Sequence, residues 1–334
     1  MNRRTRRTLW IVAAVLLLLA VAILLRSKAP PEAARLLPES DGIIYINLRP
    51  VRAFFHKELK PPQHVPEYQQ FIDATGIDWE RDLDQAAIAL HRMQDPNGPN
   101  GPVAYSMVLV GKITGKRLNA WLDAHATSRE LYAGHTVYNI PSEDRTVRVV
   151  QIGYDVVAAS NTPTAEQIHS IIDRHRTAAL PLSGSTLLRE HYHDVPLLSL
   201  AWGVGQIGLP FNEQGAIEVF GLSLPLDADS TIIASLRWTG SLRLKVEEIA
   251  PTDEVATRQA AALATLVTAA RGFTVLLADK ASNNGLRELL RTAEVNQKRN
   301  RVVVTAAVSP SLFSVPADRE SSPSEQLSSP PAAK

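Results

Sequence analysis

Cysteine is missing from all 334 residues. That excludes disulfides, thiolate catalysis, Cys-ligated metals and a lipid-modified Cys behind a hydrophobic segment. The common hydrolase signatures G-x-S-x-G, S-x-x-K and H-E-x-x-H are missing too, so no motif announces a catalytic site and the chain is read as a non-enzyme. An excess of positive charge is also lacking. Six of the 35 Lys and Arg precede residue 29 and none of the 34 Asp and Glu does, which leaves the remainder at a net of about −5. A mildly acidic body lacks the electrostatic footprint of a nucleic-acid binder.

What is present begins at the N-terminus. Arg3, Arg4, Arg6 and Arg7 precede 17 uninterrupted apolar residues, Leu9 to Leu25. As a helix this run measures roughly 25 Å, near the short limit for crossing a bilayer. Arg26 and Lys28 can snorkel, and Trp10 suits the headgroup boundary. The expectation is a cytoplasmic segment at 1–8, a signal anchor and transmembrane helix at 9–25 in contact with the lipid bilayer, and everything beyond it outside the cytoplasm of a bacterium. Cleavage after "AVA" (20–22) and twin-arginine export through "TRRTLW" are the competing readings.

Residues 26–38 read as a Pro- and Ala-containing tether. The pattern then predicts strand "GIIYINL", a helix opened by Pro50, and helix "VPEYQQFIDATG" stopped by Gly76. "QAAIALHRM" and "VAYSMVLVGK" form an antiparallel hairpin across "DPNGPNG". Leu118, Trp121, Leu122 and His125 share one helix face. Two strand pairs follow, then a helix with Thr162 as cap and Pro163 as its first residue. After a short helix at "STLLREHYHD", four strand candidates succeed one another from residue 196, with Thr239 and Gly240 turning the last pair. A long Ala-rich helix runs from Asp253 to Arg271, closed by Gly272. "NGLRELLRTAEV" is a helix and "NRVVVTAAV" the final strand. The expected fold is α+β with mainly antiparallel sheets, in two loosely similar halves at 39–210 and 211–316, with a disordered Ser- and Pro-rich tail at 317–334.

Several stretches invite chemistry. "GIDWERDLD" (76–84) sets Asp78, Glu80, Asp82 and Asp84 at the spacing of calcium ligands, but the loop would need Gly at position 83 and Glu at 89, where Leu83 and Ala89 stand. It reads instead as a helix stop, a turn capped by Asp78 and a strand entry. "GKITGKR" (111–117) is one residue short of a phosphate-cradling loop, and Arg117 replaces its Ser or Thr. "GVGQIG" (203–208) matches a dinucleotide fingerprint, yet Pro210 stands where a helix must begin, so a flexible crossing between the halves is expected. His191 and His193 fall at a helix end and do not converge on a metal, and His169 with Asp173 reads as a surface pair. No catalytic, cofactor-binding or metal residue and no cofactor is assigned.

"LLPESDGIIYINLRPVR", "GIDWERDLDQAAIAL", "DVVAASNTPTAEQIHSIID" and "VVVTAAVSPSLF" together resemble a broad group of bacterial proteins with a domain of unknown function, tethered by one N-terminal helix. The resemblance spans most of residues 37–315 and implies location and architecture, not a reaction. The function expected is an extracytoplasmic (periplasmic), membrane-anchored binding or interaction module with a protein partner in the envelope. The alternative is an envelope enzyme, hydrolase-like, whose site no motif signals.

Overall fold

Gly76 has φ of 73°, in the left-handed region, and stops the helix Pro66–Thr75. Two residues on, the Asp78 carboxylate accepts the Glu80 amide at 3.0 Å and opens the single turn Trp79–Asp82, after which Leu83 starts a strand. The acidic stretch is thus spent on local geometry. Asp82 accepts the Asp78 amide and pairs with Arg81, while Asp84 holds Arg49 and Arg52.

The computed structural model describes residue 12 and residues 29–55, 65–98, 100–142, 145–177, 184–206, 218–219, 222–223, 227, 229–276 and 284–308. Apart from Val12, the expected transmembrane segment 9–25 lies outside the described residues, as do the basic segment 1–8 and the tail 317–334. Among the described residues no helix is long and apolar enough to cross a membrane.

In chain order the elements are α1 (Glu32–Leu36), β1 (Gly42–Asn47), α2 (Leu48–Phe55), α3 (Pro66–Thr75), α4 (Trp79–Asp82), β2 (Leu83–Arg92), β3 (Val103–Gly111), α5 (Gly115–His125), β4 (Ser128–Tyr132), β5 (His135–Ser142), β6 (Arg145–Gln151) and β7 (Val156–Ser160). There follow α6 (Glu166–Arg176), α7 (Thr186–His191), β8 (Ser199–Gln206), β9 (Glu218–Val219), β10 (Leu222–Ser223), β11 (Thr231–Trp238), β12 (Leu242–Ile249), α8 (Asp253–Leu276), α9 (Asn284–Thr292), β13 (Glu294–Lys298) and β14 (Arg301–Val308). The protein is α+β. Among the described residues twelve strands form one antiparallel sheet in the order β13-β14-β12-β11-β8-β1-β2-β3-β7-β6-β5-β4, and β9 pairs with β10.

Two stretches of the sheet share a topology, but they divide between β7 and β8, not at residue 210, which lies outside the described residues. Outward from the central β1–β8 pair, β1-β2-β3 is a meander, a helix (α5) follows, and the chain returns with β7 beside β3. On the other side β8-β11-β12 is followed by helices α8 and α9, and the chain returns with β14 beside β12.

Helices cover the two faces of the sheet in different places. On the first face, Ile43, Tyr45, Ala87, Val108, Trp202, Val204 and Ile233 pack under α1, α6 and α7, through Leu36, Ile168, Ile171, Ile172 and Leu188. On the second face, Tyr138, Val149 and Val157 pack under α5, through Leu118 and Leu122. At the far end of that face Val295, Val302 and Val304 pack under α8, through Ala256 and Leu263. The side-chain alternation of each strand is therefore answered by a different set of helices.

Several expectations need correction. The tether read over 26–38 holds from Glu32 on a helix of the core, with Ala33, Ala34, Leu36 and Leu37 buried, because an Ala/Leu-rich turn beside a sheet gains more by docking than by staying solvated. The helix expected from Thr162 starts at Glu166. The Thr162 hydroxyl turns inward to Ser160 and to the Thr164 carbonyl, so it is not free to cap. Gly272 does not close the long helix, which continues to Leu276. The end of "NGLRELLRTAEV" is not helix: Glu294 and Val295 open β13, an edge strand joined to β14 through Arg299 at φ 54°. Gly203 to Gln206 are not a flexible crossing either. They belong to β8 in the middle of the sheet, paired on both sides.

Candidate functional site

Cross-strand partners share a face, so the pairing register can be read as rows running across the sheet. One row on the second face runs Tyr138, Val149, Ala159, Met107, Ile88, Ile44, Gly203, Ala234, Val246, Val304 and Val295, apolar from end to end. The next row carries Leu109, Ala86, Ile46, Ala201, Leu236, Leu244 and Ala306. The ends of these rows lie under α5 and α8. In the middle Met107, Ile88, Ala234, Val246, Ile46 and Leu236 are only half-buried, and Ile44 is 39% exposed. Ala86, Ala201, Gly203 and Ala234 keep this floor smooth, and its backbone groups are engaged in the ladder on both sides. Such a surface offers a partner apolar contact and almost no hydrogen bonds.

The first face holds a chain of buried polar groups. His91 Nε2 lies 2.9 Å from Ser106 Oγ, Ser106 Oγ 3.0 Å from Ser160 Oγ, and Ser160 Oγ 2.9 Å from Thr162 Oγ1. A base beside a serine hydroxyl is the first requirement of a nucleophilic site. The second, room for an electrophile at Oγ, is absent, because Ser106 and Ser160 are fully buried and each hydroxyl is engaged by the next. The chain instead ties β2, β3 and β7 together, and Asn161 extends it by accepting the Tyr105 amide through Oδ1 and the Asn100 side-chain amide through its carbonyl. No motif marked this cluster, since its members come from three strands.

Burial holds the His91 imidazole below its ordinary value, against the opposing pull of Asp41 and the Glu39 backbone. The unfolded chain therefore binds the proton first, so the stabilising contribution is full above about pH 6.5 and is lost as pH falls. The urea midpoint should drop between neutral and mildly acidic pH, and His91→Gln should flatten that limb. An equally steep limb in the variant would remove His91 from the account.

The residues singled out earlier have been placed elsewhere. Gly111 ends β3 and Gly115 starts α5, and a side chain at Gly111 would strike the Asp82 carbonyl, so "GKITGKR" packs on "GIDWERDLD" at its first residue. His191 ends α7, and His193 lies in the following 3₁₀ turn, 3.4 Å from Asp194. Asp194 and Glu247 share Arg301, at 2.9 and 2.6 Å, and Lys245 completes the network. His169 does not pair with Asp173. It stacks on Tyr132 with ring centroids 3.7 Å apart and lies 3.0 Å from Glu130, while the Tyr132 hydroxyl donates to Asp173. Among the described residues no three His, Asp or Glu side chains converge as metal ligands.

No protein-family model matches the chain, and no curated protein matches it. Among solved structures it is similar to crystal form III of TP0453, with a TM-score of 0.48 and 10% identity over 83% of this chain and 94% of that one. Crystal form I of TP0453 gives 0.46 and 8% over 84% and 93%. Values this low say nothing of function.

Proposed function

We propose that the protein is a membrane-anchored, extracytoplasmic binding module that receives an apolar surface of an envelope protein on the middle of the second sheet face. The observation that carries this reading is the half-buried apolar floor around Ile44, bounded by α5 and α8. A helix laid across it would bring its own satisfied backbone and needs nothing from the floor but contact. The anchor rests on residues 9–25 and the basic flank before them. A hydrolytic reading has the His91–Ser106 contact in its favour, and the burial of that hydroxyl against it.

The absence of Cys makes the test clean, because any introduced thiol is unique. Ile44→Cys and Tyr154→Cys, the latter at a position 96% exposed, are expressed in cells and treated with a membrane-impermeant maleimide. Labelling of Tyr154→Cys is expected, and protection of it in intact cells would reverse the proposed orientation. A thiol-to-amine cross-linker should yield a defined protein adduct from Ile44→Cys and none from Tyr154→Cys. The same adducts from both positions, or none from either, would sink the binding reading.

A further inference from the structure

Beneath α8, Glu248 is 3% exposed, Ser230 is fully buried and Gln259 is 7% exposed. They come from three parts of the chain: β12, the residue before β11, and α8. Both carboxylate oxygens of Glu248, the Gln259 Oε1 and the Ser230 Oγ lack a hydrogen-bond partner. Ser230, Gln259 and the Asp227 backbone nonetheless lie close enough to the Glu248 carboxylate to ease its charge as weak hydrogen-bond partners, although none of them reaches full hydrogen-bonding geometry. The strand partners of Glu248 are Ile232 and Val302, which have no polar side-chain atoms. The charge acting on the carboxylate is that of Asp227, of like sign.

Buried oxygens of this kind are seldom left alone, since each has given up water for nothing. We propose that Glu248, Gln259 and Ser230 bind one monovalent alkali cation, which fastens α8 to β12. The donor set is all oxygen, which suits a hard cation and not a transition metal. A single carboxylate with neutral oxygens balances one positive charge, whereas calcium and magnesium sites draw on more carboxylates or on phosphate. Without a cation the same buried carboxylate resists ionisation, and burial with Asp227 nearby does push Glu248 above its ordinary value. A proton is therefore the competitor of the cation at this site.

Thermal unfolding of the full chain in detergent, followed by circular dichroism, separates the two. At about pH 8, well above the ordinary Glu value, and at constant ionic strength, Tm is compared in sodium, potassium and choline chloride. Sodium or potassium should raise Tm by roughly 2–4 °C over choline, and Glu248→Gln should abolish the difference. Ser230→Ala, which removes one neutral ligand, should narrow it. Equal Tm in the three salts, with a rise only as pH is lowered, would assign the site to a proton and overturn the proposal. A larger shift from millimolar calcium than from sodium would overturn its monovalent character.

Discussion

Trp202→Ala should lower stability by about 3–5 kcal/mol, the range for emptying a large aromatic from a core. Trp202 is 4% exposed on β8 and faces Tyr45 on β1 directly across the ladder. The rings stack at 5.4 Å with 26° between their planes, and Tyr192 meets the indole edge-on at 5.5 Å. Aromatic contacts of this geometry add to the burial itself. The position decides the size of the effect: this pair is where the two halves of the sheet join, and α1, α6 and α7 pack above it as one cluster. Urea unfolding of wild type and variant measures the loss, and near-UV circular dichroism should show the stacked-ring signal vanish. A loss below about 1 kcal/mol would mean that the joint collapses to fill the space.

Gly111→Ala should cost about 3 kcal/mol, at the upper end for overpacking, although it adds one methyl group. The new carbon would stand 2.3 Å from the Asp82 carbonyl oxygen and 2.9 Å from Leu83 Cα. Both are backbone, and neither can rotate aside. The Gly111 amide donates to the Asp155 carbonyl at 2.8 Å and the Lys112 amide to the Asp82 carbonyl at 2.8 Å, so any shift that relieves the clash strains bonds that seat α4 and β2. The same titration reads the result. A neutral outcome would mean that the Asp82 turn is soft, and Asp78 would then be expected to cap weakly.

The parts of the fold that the sequence reveals are those whose chemistry is local. Gly76 and Asp78 announce a stop and a cap, and each holds its place, while the strand expected near Ala86 begins three residues earlier, at Leu83. Likewise Thr239 and Gly240 turn β11 into β12, with Gly240 at φ 84°. Where the deciding contact is distant, local signals mislead. Thr162 has every quality of a helix cap, yet Ser160 and Thr164 claim its hydroxyl. β13 carries a single apolar residue, Val295, among Glu294, Asn296, Gln297 and Lys298, so it has no apolar period, and only pairing with β14 makes it a strand. The two polar clusters were illegible for the same reason. Ser160 stands 54 residues from Ser106, and Glu248, Gln259 and Ser230 share no motif. The apolar floor was hidden differently: its rows exist only once the register is known, since along each strand they look like ordinary alternation.

The β1–β8 pairing has a consequence for how the molecule is made. Ile44 meets Gly203 and Tyr45 meets Trp202, so the middle of the sheet closes a loop of roughly 160 residues. Until β8 leaves the ribosome, β1 has β2 on one side and a bare hydrogen-bonding edge, "GIIYIN", on the other. The nascent chain therefore carries this apolar strand with one edge uncovered for about half of translation, and a pause or truncation before residue 199 would leave it seeking the wrong mate.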